Sequence, residues 1–147
     1  MSNLASGADD HPDAAGKHLN DATALAAAHR FDGAAYLAGY VAECSLKTLV
    51  IVASMGAQGL TSAASTASNL KHNLNKLTQS ALQLASLPNS ATAKYVFSSS
   101  PIATNWSPEM RYRSPFVQQP MATQWLTEVR GLYEATVAQM RLDGVIR

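Results

Sequence analysis

Glu43 and Lys47 are four residues apart, a spacing that places an acid and an amine on one face of an α-helix. The acid lies N-terminal to the amine, which is the favourable order for such an ion pair. A solvent-exposed pair is one interpretation, and a partly buried polar cluster is the other. The low charge content of the surrounding segment favours the cluster, in which the Glu43 carboxylate holds Lys47, and also Arg111, and orients these basic donors toward a phosphate or a partner carboxylate.

A second group of candidate residues, Arg111-Tyr112-Arg113, places two bases around an aromatic side chain in a proline-bounded loop. This composition suits a site that grips a phosphate and stacks a base. The alternative is scaffolding, in which these side chains tie the loop to the bundle beside Trp106. His72 either starts a helix or joins the same cluster. We predict one polar binding site formed by Glu43, Lys47, His72, Arg111, Tyr112 and Arg113.

Other site chemistries have little support in the sequence. Cys44 is the only cysteine, so the chain has neither a disulfide framework nor a CxxC zinc motif. His11 and His18 lack a third ligand at a suitable step, and we expect them to be solvated. A Gly-x-Ser-x-Gly frame and a glycine-rich phosphate loop are both missing. We therefore predict no metal and no cofactor, and Cys44 as an inert core thiol.

The composition predicts one folded domain. The chain has 147 residues, of which 47% are hydrophobic and 14% charged, and its net charge of +1 identifies no partner. Residues 1–10 lack the features of a signal peptide and are expected to be a flexible leader before a domain over 11–147. The longest strongly apolar run, Leu49 to Ala53, is too short for a membrane span. With a single cysteine, these features predict a cytoplasmic protein.

Hydrophobic spacing predicts the helices that must position the candidate residues. The expected fold is all-α: an up-and-down four-helix bundle with a short extra helix and a long proline-containing loop before the last helix. A glycine- and serine-rich connection is expected between helices 2 and 3. The predicted segments are helix 1 over Pro12–Ala28, helix 2 over Phe31–Ser54, the connection over Met55–Ser68, helix 3 from about Leu70 to before Pro88, a short helix over Ala91–Phe97, the loop over Ser98–Pro120 and the last helix from Pro120 to Gly144. The predicted core positions are Leu70, Leu74, Leu77, Ala81 and Leu84 in helix 3, and Met121 or Ala122, Trp125, Val129, Leu132 or Tyr133, Val137 and Met140 in the last helix.

Three motifs in this order resemble the HEPN family, small α-helical domains of prokaryotic defence and toxin systems that also occur in larger eukaryotic proteins. The likeness covers about residues 15 to 140. The residues that carry it are the helix 2 run Arg30 to Lys47 (with Phe31-Asp32, Tyr36, Gly39-Tyr40 and Glu43-x-x-x-Lys47), His72-Asn73-Leu74 with Lys76-Leu77, and Trp106 with Glu109, Arg111 and Tyr112.

The sequence also departs from the family's catalytic pattern. Ribonuclease members typically carry an arginine followed, after four to six residues, by a histidine. None of the four histidines here has an arginine at that distance, and the positions before His72 hold Ser65, Thr66 and Ala67. The resemblance therefore implies a non-catalytic or divergent member.

The resemblance implies that this chain is a binding module in a defence, toxin-antitoxin or stress context. Its ligand is expected to be a nucleotide or RNA, or a partner such as a nucleotidyltransferase. Family members commonly dimerise through their helices, so a homodimer is expected, and the small residues of helices 1 and 2 suit close helix contact. The alternative function is a divergent ribonuclease toxin that uses Lys47, His72 and Arg111.

Overall fold

A computed structural model describes residues 1–98 and 102–147, and within these residues the chain is helical without a β-sheet. This confirms the predicted all-α class. Residues 99–101 of the predicted loop lie outside the described residues. The elements are α1 (His11–Ala27), α2 (Phe31–Asn69), α3 (Leu74–Ala85), α4 (Ile102–Asn105), a 3-10 turn (Pro108–Tyr112), α5 (Gln119–Tyr133), a π-helical turn (Glu134–Ala138) and α6 (Gln139–Leu142).

Helix α2 is the centre of the fold and packs against α1, α3 and α5. Alanines on α1 and α2 bring these two helices close together, since Ala15, Ala22, Ala34 and Ala38 are fully buried. A short corner reverses the chain between them, where His29 adopts a positive φ of 57°. The two N-terminal helices are therefore close-packed neighbours.

The predicted end of helix 2 at Ser54 is wrong, and so is the flexible connection over Met55–Ser68. The helix continues to Asn69 across a kink at Gly59, where φ is 78° and ψ is 163°. Glycine adopts this backbone conformation without steric cost. Beyond the kink, Ala63, Ala64 and Ala67 are buried. Alanine methyl groups therefore form the core face of a segment that has few large apolar residues.

Helix α3 begins later than the sequence pattern predicts, at Leu74 instead of Leu70. The side chain of Asn73 caps it by accepting a hydrogen bond from the Lys76 amide at 2.9 Å. Its core face includes the buried Leu74, Leu77 and Ala81, as the spacing predicts.

The short helix predicted over Ala91–Phe97 is wrong, because the chain forms turns from residue 91 to 94. Tyr95 anchors this segment: it is 2% exposed, and its hydroxyl donates to Asp143 at 2.9 Å. The proline-rich stretch that follows contains α4 and the 3-10 turn, which is more structure than a loop.

Helix α5, the π-helical turn and α6 form one continuous helical run that ends close to the predicted Gly144. The predicted core positions of this run that have a single candidate residue are all buried. At the first position with two candidates, Ala122 is buried and Met121 is half-buried. Leu132 and Tyr133 are both half-buried. The buried residues of the run are Ala122, Trp125, Leu126, Val129, Thr136, Val137 and Met140.

Residues 1–10 make specific contacts with the bundle. Leu4 is 2% exposed within the core. The Ser2 hydroxyl donates to Asp10 at 2.8 Å, and the Asn3 side chain donates to the Val145 carbonyl at 3.1 Å. This docked arrangement differs from the flexible leader expected from the sequence, which contains few apolar residues that point to packing.

By length and composition alone, α2 is apolar enough to cross a membrane, with a mean hydropathy of 1.4 over its most apolar window. In the bundle, 83% of that window is buried. Such burial is typical of a core helix. The predicted absence of a membrane contact stays a prediction.

Candidate functional site

One face of α2 carries Tyr36, Tyr40, Glu43 and Lys47, at successive steps of four, three and four residues. This spacing aligns side chains along one side of a helix. We call these four residues the α2 stripe. The loop before α3 and the 3-10 turn bring His72 and Arg111 to it.

Glu43 and Lys47 form a buried ion pair at the inner end of the stripe. Glu43 Oε1 lies 2.8 Å from Lys47 Nζ, and the two residues are only 4% and 6% exposed. The exposed interpretation of this pair is therefore wrong, and the buried polar cluster is what the structure contains. Since desolvated charges are costly, the pair is stable only while both partners are present.

The second oxygen of Glu43 holds His72 at the surface. His72 Nδ1 lies 2.9 Å from Glu43 Oε2, and 54% of the histidine side chain is exposed. The imidazole also packs edge-on against Tyr40, with 6.0 Å between ring centroids. A left-handed residue, Lys71 with φ 51°, precedes it in the turn after α2. One carboxylate thus links a buried amine to a half-exposed imidazole.

Tyr36, Tyr40 and Trp106 form an aromatic cluster at the outer end of the stripe. The Tyr40 ring lies 5.2 Å from Tyr36 and 5.1 Å from Trp106, edge-on in both cases. The two tyrosine hydroxyls are 3.1 Å apart, and burial, then the hydrogen bond to Tyr36, raises the pKa of Tyr40. Trp106 Nε1 donates to the Tyr36 carbonyl at 3.0 Å. These contacts hold Tyr36 beside the 3-10 turn that carries Arg111.

Gly39 makes this arrangement possible. A Cβ at position 39 would lie 1.9 Å from Cε2 of Trp106. The indole therefore occupies the space that a side chain would need, and it crosses the surface of α2 in direct contact with the helix. Here the glycine is required for close approach.

Arg111, on the 3-10 turn, joins the site at this aromatic end. Interaction with the Tyr36 side chain, then with Tyr112, raises the pKa of Arg111, and its guanidinium lies over the Tyr112 ring, 4.8 Å from the centroid. Tyr112 itself is 77% exposed. The idea that Glu43 also holds Arg111 is wrong for the part of the chain that the structure describes, where Glu43 pairs with Lys47 and His72.

Arg113 follows the 3-10 turn, and its side chain is exposed. Hydrogen bonds from the Glu109 backbone and the Ser107 side chain, followed by the nearby charges of Arg111 and Arg113, lower the pKa of Glu109. The six predicted residues thus fall into three parts. Glu43, Lys47 and His72 form one hydrogen-bonded group, Arg111 and Tyr112 form a second group, and Arg113 lies at the edge.

Several residues of this region were not among the predicted site residues. Tyr36 and Tyr40 connect the two groups, and the step of four, three and four residues was the signal that they share a face with Glu43 and Lys47. His18 was expected to be solvated, but its ring packs 5.6 Å from Tyr40. Among the described residues its buried Nδ1 has no hydrogen-bond partner.

Burial changes the titration of other groups near the stripe. His11 and His18 are half-buried, which differs from the solvated positions expected for them, and this burial lowers the pKa of both. Burial also raises the pKa of the Cys44 thiol to about 12, as suits a core cysteine. Within residues 1–98 and 102–147, no three of the His, Cys, Asp and Glu side chains are grouped to hold a metal ion.

The arrangement as a whole can bind an anion with an attached aromatic group. Arg111 and Arg113 supply positive charge, Tyr112 supplies an exposed ring, and His72 supplies a polar group that the Glu43 carboxylate holds in place. Comparison of the chain with protein-family models, with curated proteins and with solved structures finds no match.

Proposed function

We propose that this chain is a HEPN-like binding module that recognises a nucleotide or RNA through its phosphate and base, in a cytoplasmic defence, toxin-antitoxin or stress context. The observation that carries the proposal is the position of the exposed Arg111–Tyr112 stack. It reaches the α2 stripe through Tyr36, whose neighbour Tyr40 contacts the half-exposed His72.

Each side chain has a separate role in this proposal. Tyr112 stacks on a base, because an exposed aromatic ring accepts any base on its face. Arg111 and Arg113 bind phosphate oxygens through charge-assisted hydrogen bonds. Lys47 does not contact the ligand, since its ammonium is buried against Glu43. It holds Glu43 in place through the 2.8 Å ion pair, and Glu43 in turn orients His72.

Direct titration of the purified protein with nucleotides and short RNAs tests this function. The Arg111→Ala variant should lose at least about tenfold in affinity, since it removes a charged contact. Arg130→Ala is the matched control, because Arg130 is exposed and bonds to Thr23 on α1, on another surface. Equal loss in both variants, or no binding by the wild-type protein, would contradict the proposal.

One observation favours a ribonuclease toxin as the second candidate function. The 2.9 Å contact of His72 Nδ1 with Glu43 is the geometry by which a carboxylate orients a histidine for general acid–base catalysis. Mixed RNA incubated with the wild type and with the Glu43→Ala and Arg111→Ala variants separates the two functions. Cleavage that is lost in both variants favours the enzyme, and intact RNA with measurable binding favours the module.

A homodimer and a nucleotidyltransferase partner remain proposals from the family resemblance. The small residues of α1 and α2 no longer support the dimer independently, because many of them, including Ala15, Ala35 and Ala38, are buried inside the single chain. Light scattering during size-exclusion chromatography measures the oligomeric state. Copurification with the product of the adjacent gene tests the nucleotidyltransferase partner.

A further inference from the structure

We infer that the proposed site accommodates one base and one phosphate only, so that a mononucleotide fills it and a longer run of RNA gains no further contact. This inference rests on the proposed function and specifies its substrate class. It follows from the number of aromatic faces left open at the site and from the charges on either side of the open face.

The rings of the aromatic cluster, Tyr36, Tyr40 and Trp106, already pack against neighbouring rings. Trp106 is 5% exposed, and its ring packs against both Tyr40 and Tyr36, with centroid distances of 5.1 and 6.4 Å. Tyr40 also contacts His72 on one side and His18 on another. A base cannot stack on these rings without displacing their present neighbours.

Tyr112 is the most exposed ring of the site, and one of its two faces is occupied. The other partly exposed ring, the His72 imidazole, is held by Glu43 at its Nδ1 and by Tyr40 at its edge. The Arg111 guanidinium covers one face of the Tyr112 ring at 4.8 Å, while 77% of the residue remains exposed. The other face accepts one base, which would give a layered arrangement of arginine, tyrosine and base. Proteins that bind a run of single-stranded nucleic acid provide successive aromatic faces for successive bases.

Acidic side chains limit the number of phosphates that the site can hold. Beside Phe116, the next exposed aromatic residue, Asp32 accepts hydrogen bonds from the Phe116 and Val117 amides at 3.0 and 3.2 Å. Glu109 is close enough to Arg111 and Arg113 to offset part of their positive charge. The remaining charge suits one phosphate group, and a second phosphate beside Phe116 would be repelled by Asp32.

The experiment compares AMP with an oligoadenylate of about ten nucleotides by calorimetry, at about 50 mM and about 200 mM salt. We expect the two Kd values, both expressed per mole of nucleotide, to agree within about threefold, because both ligands use one base and one phosphate. The logarithm of affinity for the oligomer should fall with the logarithm of salt with a slope of roughly −0.7, the value for a single phosphate contact in single strands. Binding of both ligands by the wild-type protein is measured first, and the variants are then compared with it.

Variants identify the stacking face. Tyr112→Ala should weaken AMP binding about tenfold, while Tyr112→Phe should retain it because the ring is kept. Phe116→Ala is the matched control, and it should leave the affinity for the oligomer within about threefold of wild type. A loss of oligomer binding in Phe116→Ala would identify a second stacking face and overturn the inference.

The possible failures are distinguishable. Oligomer binding that is about tenfold or more tighter than AMP per mole of nucleotide, with a salt slope steeper than about −2, overturns the one-base inference and leaves the proposed function intact. AMP binding that is unchanged in Tyr112→Ala overturns the inference as well. If neither ligand binds the wild-type protein, the proposed function and the inference are both wrong.

Discussion

The Gly39→Ala substitution tests the close contact that positions the aromatic end of the site. The new methyl carbon would lie 1.9 Å from Trp106 Cε2, 2.1 Å from Nε1 and 2.2 Å from Cδ2. These atoms belong to a rigid ring that is 5% exposed and hydrogen-bonded to the Tyr36 carbonyl. The clash therefore has no flexible side-chain end to absorb it, and the indole must move as a whole.

Opposing terms determine the magnitude. Alanine gains about 1 kcal/mol of helix propensity over glycine. Overpacking costs about 1–3 kcal/mol, and loss of the indole hydrogen bond costs about 1 kcal/mol more. The free energy of unfolding should therefore fall by about 2 kcal/mol. For a domain of this size, that corresponds to a decrease in Tm of roughly 4–8 °C.

Urea and thermal unfolding followed by circular dichroism measure this change. Gly56→Ala is the control in the same helix, because a Cβ at that position meets nothing within 4 Å. It should raise the free energy of unfolding by up to about 1 kcal/mol. The reasoning is refuted if Gly39→Ala is as stabilising as Gly56→Ala. A second check is the background Trp106→Leu, in which adding Gly39→Ala should cause little further loss.

Three further predictions follow from buried groups. Lys47→Met leaves the buried Glu43 carboxylate without its amine and should lower the free energy of unfolding by about 3 kcal/mol. Part of this loss should be recovered in the double variant Lys47→Met/Glu43→Gln, which has no buried carboxylate. A decrease below about 1 kcal/mol in Lys47→Met would contradict this prediction. The Cys44 thiol, whose pKa burial raises to about 12, should not react with a thiol reagent in the native protein at pH 8 and should react fully in denaturant, so rapid native labelling would be inconsistent with the burial. Burial, and for His11 also the charge of Lys47, lowers the pKa of His11 and His18 in the folded state. The unfolded state therefore binds more protons, and the free energy of unfolding should fall as the pH drops below about 6.5. The fall should be smaller in His11→Gln/His18→Gln, measured by urea unfolding over the same pH range, and an equal fall in the variant would exclude these two groups as its source.

The predictability of the fold depended on which side chains signal the core. Leu74, Leu77 and Ala81 repeat at helical spacing, and the structure buries them as predicted. The far half of α2 was missed because its buried face consists of alanines, which differ little in hydrophobicity from the serines and threonines around them. Asn73 shows how a cap sets a boundary that periodicity alone does not, since its side chain starts α3 at the next residue.

The candidate site was predictable where residues lie close in sequence. The spacing of Glu43 and Lys47 dictates their contact, and the structure adds their burial. The position of Arg111 depends on how the 3-10 turn packs on α2, which long-range contacts decide. Those contacts go through Tyr36 and Trp106, so the arginine lies beside Tyr36 and Tyr112 instead of pairing with the Glu43 carboxylate. Tertiary packing of this kind leaves no local signal.

The π-helical turn at Glu134–Ala138 accommodates one residue more than a regular α-helical turn would. The wide turn absorbs this residue locally, so removing Ala135 would let the run close into a regular α-helix with little rotation of the residues that follow. Met140, which has no exposed surface, and Ile146, at 2%, would then stay in the core. A deletion in the regular part of α5 would instead rotate the following side chains by about 100° about the helix axis, so the C-terminal segment should tolerate a one-residue deletion at the π-helical turn better than one in α5.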